Sequence, residues 1–289
     1  PVLLLPSDQF ATRVPDPVLQ QVEDPTTLDL TVNDCFRPVA RFFDRINRPE
    51  QLIPSLLNAM RVLTDPAETG AVVIAMPQDV QAEAHDWPVE FFRRRVWHVR
   101  RPLPEPAALE RAVALIRAAE RPMIISGGGT IYSEACDQLR ALATATGIPV
   151  ADTQAGKGAI NFDHPSAVGG VGSTGCDSGN HIADKADLII GVGTRYSDFT
   201  TASKTQFKNP DVKFVNINVT PFDAAKESAE MVVADAREAL AALTEALADY
   251  RVEAAYSEEI TAEKEAWLKA TERCYHLDHG PLPAQTEVF

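Results

Sequence analysis

Two glycine-rich stretches of the 289-residue chain carry the residue types and spacing that could cradle a ligand. In "RPMIISGGGTIYSEA", Arg121 to Ala135, an apolar strand-like run ends at Ser126, three glycines follow (Gly127, Gly128, Gly129), and a helix-like segment begins. Glycines after a buried strand let the backbone approach a ligand closely, and a helix start offers N–H groups and a positive dipole to an anion. "GVGTRYSDF", from Gly191 through Gly193, Thr194, Arg195 and Tyr196, repeats the arrangement after the apolar "DLII". A dinucleotide fingerprint needs G-x-G-x-x-G. Counting from Gly127 puts Tyr132 where the last glycine belongs, and the second stretch also lacks its third glycine. Taken alone, each reads equally as a ligand loop or as a plain turn.

Other motifs carry less. "TQAGKGAI" has a glycine–lysine pair, but the places a Walker loop needs for its first glycine and its hydroxyl hold Ala151 and Gly158. "GGVGSTG", which includes Gly172, Ser173 and Thr174, could line a cofactor or turn a corner. The four cysteines, Cys35, Cys136, Cys176 and Cys274, are far apart with no CxxC pair, which fits free thiols in a reducing compartment. "CYHLDHG" gathers Cys274, His276, Asp278 and His279, but the spacing matches no standard metal site, so a solvated linker is preferred. "NVT" at Asn218 lies in a strand-like run, and the strand reading is preferred over glycosylation. No Ser-His-Asp or Cys-His constellation is legible.

Composition narrows the partners. A content of 45% hydrophobic residues is that of a folded protein, and the length predicts two compact units. A net charge of −14 opposes binding to nucleic acid or to an anionic membrane surface. No apolar stretch reaches the roughly 18 residues of a membrane span, and "PVLLLP" lacks the basic flank of a signal peptide. The expected setting is cytoplasmic, with no nucleic acid and no membrane partner.

The elements that must position these turns follow from periodicity. "LDLTV" reads as a strand, the run around Leu52, Ile53, Leu56, Leu57, Met60 and Leu63 as a helix, and "GAVVIAMP" as a buried strand ended by Pro77. "HVRRPLPEPAALERA" has three prolines between Pro102 and Pro106 and marks a domain boundary near residue 100. Beyond it, helix 106–119, strand 122–126, helix 131–146, strand 148–151, a helix near 179–185, strands 187–192, 213–218 and 230–233, and helix 235–248 alternate. Such alternation predicts a parallel sheet covered by helices, a Rossmann-like α/β domain. It is preceded by the rear part of a second α/β domain and followed by an acidic helical stretch to about Cys274. The chain opens inside an apolar run and reads as a segment of something longer.

The order of these pieces is more specific than any one of them. "TGAVVIAMPQDVQ", the proline-rich linker, "RPMIISGGGT" through "PSAVGGVG", "ADLIIGVGTRYSDFTT", "KFVNINV" and "VVADAREAL" together resemble thiamine diphosphate-dependent enzymes of the acetohydroxyacid synthase type. Within that group, "FATRVPDPVLQQ", "NDCFRPVARFFDRINRPEQL", "QAGKGAI" and "VGTRYSDFTTASK" look closest to the trihydroxycyclohexanedione hydrolases of bacterial inositol breakdown. The resemblance implies that 1–97 is the C-terminal part of a pyrimidine-binding domain, 98–105 a linker, 106–255 the central domain, and 256–289 a helical linker toward a pyrophosphate-binding domain. It implies thiamine diphosphate and magnesium in the complete enzyme, a small-molecule substrate and a homo-oligomer. The implied reaction is attack of the cofactor's thiazolium carbanion on a carbonyl of a cyclic dione, then opening of a ring C–C bond with water.

The family's cofactor-activating glutamate would precede "PVLLL", and none of the fifteen glycines is followed by aspartate, so the magnesium motif GDG is not in this sequence. No catalytic residue and no metal ligand is therefore assigned here. In acetohydroxyacid synthases the central domain binds FAD through loops that match Ser126–Gly129, Gly172–Thr174 and Gly193–Tyr196, which makes these the cofactor-binding candidates. FAD is admitted but not favoured, because the hydrolase needs no flavin chemistry. The rival readings are an acetolactate-forming carboligase, a non-catalytic nucleotide-binding or scaffold module, and a flavin or nicotinamide oxidoreductase. "SGGGT" is expected to be mainly a close-packed turn, with Gly128 its critical glycine and Thr130 the cap of a helix from Ile131.

Overall fold

The computed structural model describes residues 1–12, 24–277 and 280–288. Most of "FATRVPDPVLQQ", and Asp278 and His279 of the Cys/His cluster, lie outside the described residues. The chain divides into two compact units, Pro1–Arg100 and Arg101–Phe289.

The first unit contains β1 (Val2–Leu4), β2 (Ser7–Asp8), β3 (Phe42–Arg45), α1 (Leu52–Thr64) and β4 (Ala71–Pro77). β4 is the centre, paired in parallel with β1, β2 and β3. Its run Val72, Val73, Ile74 and Ala75 is buried, as an unbroken apolar strand covered on both faces should be. Helix α1 contributes Ala59 and Val62 to the core with Val72 and Ile74. The strand expected at "LDLTV" does not form. Leu28 and Leu30 are exposed, and Thr31 instead caps a short 3-10 turn, Val32–Phe36, in a reciprocal pair with Asp34. The strand β3, with no clear alternation in "FFDR", was not anticipated.

The second unit runs α2 (Pro106–Ala118), β5 (Pro122–Ser126), α3 (Gly128–Tyr132), α4 (Cys136–Thr146), β6 (Val150–Asp152), β7 (Ala167–Gly170), α5 (Asp177–Lys185) and β8 (Leu188–Val192). It continues with α6 (Asp198–Thr201), β9 (Lys213–Asn218), α7 (Pro221–Ala224), β10 (Glu230–Val233), α8 (Ala236–Ala246), α9 (Ala254–Tyr275) and α10 (Gln285–Val288). The six strands form one parallel sheet in the order β10-β9-β8-β5-β6-β7. This is the α/β, Rossmann-like architecture expected. The order turns back on itself between β5 and β8, and open α/β sheets bind ligands outside the carboxyl ends of strands at such a switch point.

Local chemistry departs from the expected elements in three places. The helix expected over 131–146 is two helices, because Glu134 takes a left-handed φ of 55° between them, where Arg101 bonds the Ser133 carbonyl at 2.5 Å and the Glu134 carboxylate at 2.7 Å. Thr130 is not an N-cap. It lies inside α3, fully buried, and its hydroxyl bonds the Val192 carbonyl at 3.2 Å. The glycines of "AVGGVG" belong partly to β7, where three steps along β7 match two along β6 and Gly169, at φ +84°, sits in the irregularity.

Candidate functional site

The carboxyl ends of β5, β7 and β8 and the turns that follow them carry every residue singled out as a cofactor contact. Neighbouring strands bring two of the groups together directly. The Gly127 N–H bonds the Val192 carbonyl at 2.8 Å, and the Gly129 N–H bonds the Gly193 carbonyl at 3.0 Å. Ser126, fully buried, bonds Thr130 through its hydroxyl at 3.1 Å. The glycines are demanded by contact: a Cβ on Gly127 would stand 2.6 Å from the Thr194 Cα, and one on Gly129 would stand 2.6 Å from the Gly193 Cα. Gly128 is different. It has no positive φ, and its Cβ would meet Ala155 at 3.2 to 3.3 Å, so the close approach belongs to its two neighbours rather than to Gly128.

The third group joins through the segment that follows β8. The Ser173 N–H bonds the Phe199 carbonyl at 2.8 Å, and Gly172, at φ +94°, has room for no Cβ beside Thr200. Asn180 of α5 clamps Gly172 from the other side, accepting its N–H at 2.8 Å and donating to its carbonyl at 3.1 Å. Ser173 and Thr174 are exposed. Tyr196 points inward: its ring packs edge-on against Phe207 and Phe214, and its hydroxyl donates to Asn216 Oδ1 at 2.7 Å. Burial holds this phenol protonated far above its ordinary range. Arg195 is exposed, while its carbonyl accepts Lys226 Nζ at 2.6 Å and that of Thr194 accepts Asn218 at 3.1 Å.

Sequence reasoning passed over Asp152, the last residue of β6. It stands in register with Ser126 of β5 and Gly170 of β7, and Oδ2 accepts the Gly158 N–H at a long 3.4 Å. Oδ1 is buried with no hydrogen-bond partner. Burial pushes the carboxyl up to about 7, against smaller opposing effects of the Gly158 N–H and Lys157. The only sequence signal was an acid closing an apolar strand at the ligand edge. Asn180 and Asn216 left none, since each works through partners remote in the chain.

Among the described residues no three His, Cys, Asp or Glu side chains gather to hold a metal. His276, the residue that follows α9, pairs with Glu272 of that helix at 2.9 Å. With no Gly-Asp pair in the sequence either, these residues do not fit a diphosphate–magnesium anchor.

Residues 109–243 match the model of the family described as "Thiamine pyrophosphate enzyme, central domain". That match spans less than half of the chain. Along 279 residues, 96% of the chain, it is 50% identical to a protein of Clostridium perfringens named 3D-(3,5/4)-trihydroxycyclohexane-1,2-dione hydrolase. Two proteins of that name from two different strains of Bacillus cereus are 50% and 52% identical, again over 96% of the chain. The chain spans 43 to 44% of the length of these relatives. Matched segment 109–243 covers all six strands of the second sheet and both glycine turns. No helix among the described residues is long and apolar enough to cross a membrane.

Proposed function

We propose that this chain is part of a thiamine diphosphate-dependent hydrolase that opens the ring of a cyclic 1,2-dione, trihydroxycyclohexanedione, by hydrolysing a carbon–carbon bond in myo-inositol breakdown. The observation that carries this is an overall identity of 50% or more to proteins of that name, in alignments that cover 96% of the chain and so extend beyond the matched segment 109–243. In this reading 1–97 ends a pyrimidine-binding domain, 106–255 is the central domain, and 256–289 leads toward a pyrophosphate-binding domain. Thiamine diphosphate and magnesium are held by residues of the complete enzyme, which works in the cytoplasm as a homo-oligomer on a small-molecule substrate.

The role of the central unit is then structural: a rigid sheet whose loops at the carboxyl edge lock to one another. FAD is not favoured at Ser126–Gly129, Gly172–Thr174 and Gly193–Tyr196. Supporting this, two N–H groups of the triple-glycine turn, those of Gly127 and Gly129, are already bonded to Val192 and Gly193 rather than open to an anion. The deciding experiment expresses the complete reading frame and assays it with thiamine diphosphate and magnesium against the dione and against pyruvate. Ring opening without acetolactate is expected; acetolactate formation without ring opening would replace the hydrolase by a carboligase.

A further inference from the structure

The loop Thr153–Gly158, the "TQAGKG" that fails as a Walker motif, folds back on the strand it leaves. The Thr153 N–H bonds the Ser126 carbonyl at 2.9 Å, and the Gly156 N–H bonds the Thr153 carbonyl at 3.0 Å and its hydroxyl at 3.1 Å. Gly156 lies so close to Ser126 that a Cβ would stand 2.8 Å from the Ser126 carbonyl carbon. The loop therefore closes over the start of the triple-glycine turn, with Ala155 against Gly128.

Asp152 is the hinge of this closure. In the closed loop its Oδ1 is shut away from solvent without a donor, and its Oδ2 has only the long bond from Gly158. A neutral carboxyl tolerates such a site, but a carboxylate with an unpartnered oxygen does not, because burial removes its hydration and returns too little. The groups beside it offer little charge. Ser126 on β5 and Gly170 on β7 are neutral, and among the described residues Lys157, exposed on the loop itself, is the charged group that acts on it. Gly158, at φ +92° with open space around it, gives the chain freedom to swing at the far end of the loop.

We propose that the half-buried Asp152 is a proton-operated latch: protonated, it keeps Oδ1 out of solvent and lets the Thr153–Gly158 loop close on the Ser126 turn, and ionised, it brings Oδ1 to water and releases that loop. The sign follows from linkage. The closed state holds the proton more tightly, with the carboxyl raised to about 7, whereas in the open state it titrates in the ordinary carboxylate range. Closure is therefore strongest below that range, weakens as pH rises, and reaches its plateau above about 7.

The test is nuclear magnetic resonance of the folded protein: the Asp152 side-chain carboxyl is titrated, and amide exchange of Thr153, Gly156 and Ala159, corrected for intrinsic rate, is followed from acid to alkaline pH. Loop opening should rise by on the order of tenfold per pH unit toward neutrality and then level off with the carboxyl titration. Asp152→Asn should abolish the dependence and stay closed throughout. Lys157→Gln should move the midpoint to higher pH. A carboxyl that titrates in the ordinary range, or corrected exchange that ignores its titration, overturns the latch; both are read in the wild-type protein even if Asp152→Asn fails to fold.

Discussion

Gly129 and Gly193 meet backbone to backbone across β5 and β8. The Gly129 N–H bonds the Gly193 carbonyl at 3.0 Å, and a Cβ on Gly193 would stand 2.5 Å from the Gly129 Cα. Both positions are filled on one side by main chain, which cannot rotate aside as a flexible side chain would. Two turns that each resemble half of a nucleotide site are thereby each other's ligand.

Alanine at Gly129 or at Gly193 should accordingly cost about 1–3 kcal/mol of unfolding free energy, and alanine at Gly128 clearly less. Gly193 adds a left-handed φ of 58°, which alanine resists. Urea denaturation of the three variants checks the order. Equal losses at Gly128 and Gly129 would show that contact with Gly193 is not what demands glycine.

Tyr196→Phe should cost about 0.5–1.5 kcal/mol, and somewhat more if the stranded Asn216 Oδ1 finds no water. Asn216 Nδ2 would still donate to the Ala224 and Lys226 carbonyls, so the variant should fold. Thermal melting at matched pH measures this. A variant as stable as wild type would remove the Tyr196–Asn216 bond from the account of the loop.

The purified protein should be colourless. With the Gly127 and Gly129 amides engaged, added FAD should neither raise the melting temperature nor acquire an altered visible spectrum. A yellow protein, or saturable stabilisation by FAD that Gly127→Ala abolishes without unfolding, would restore the cradle reading.

His164 gives a pH dependence opposite in sign to that of Asp152. Its Nδ1 accepts the Ser166 N–H at 3.1 Å and its Nε2 pairs with the Thr144 hydroxyl at 3.0 Å, an arrangement for the neutral ring. Burial first, then the nearby Lys264 and Arg140, lower its proton affinity, while Asp163 opposes them. The unfolded chain thus binds the proton more readily. The stabilisation from His164 is complete above the ordinary histidine range and is lost as pH falls through it. Denaturation of wild type and His164→Gln at mildly acidic and mildly alkaline pH should show the gap between them narrowing on the acid side. A gap independent of pH would sink the assignment.

Legibility followed how local the cause was. The strands at 122–126, 213–218 and 230–233 were readable to the residue, because each is an apolar or β-branched run bounded by turn or helix signals. β7 was not readable: "AVGG" carries two glycines and too few apolar residues, and only pairing with β6 makes it a strand. The same holds for β3, whose "FFDR" is organised by partners elsewhere. Phe43 lies under Arg37 at 4.1 Å, while Arg45 binds the buried Asp8 at 2.7 Å and Asp34 at 2.7 Å. "LDLTV" failed for the converse reason: its alternation is right, but among the described residues of the first unit no surface covers Leu28 and Leu30, which stay exposed.

The chain's own order of apolar runs, glycine turns and prolines determined the α/β class, the parallel sheet and the place of the glycine turns at strand ends, because hydrophobic period and turn chemistry act over a few neighbouring residues. It also determined that two glycine turns would stand at the ligand edge. Tertiary structure alone decided what those turns face. Strand order set β5 beside β8, so that Gly127 and Gly129 spend their N–H groups on Val192 and Gly193. The same packing left Asp152 Oδ1 without a donor, since burial and hydrogen-bond satisfaction depend on which segments distant in sequence come to lie within about 3 Å of one another.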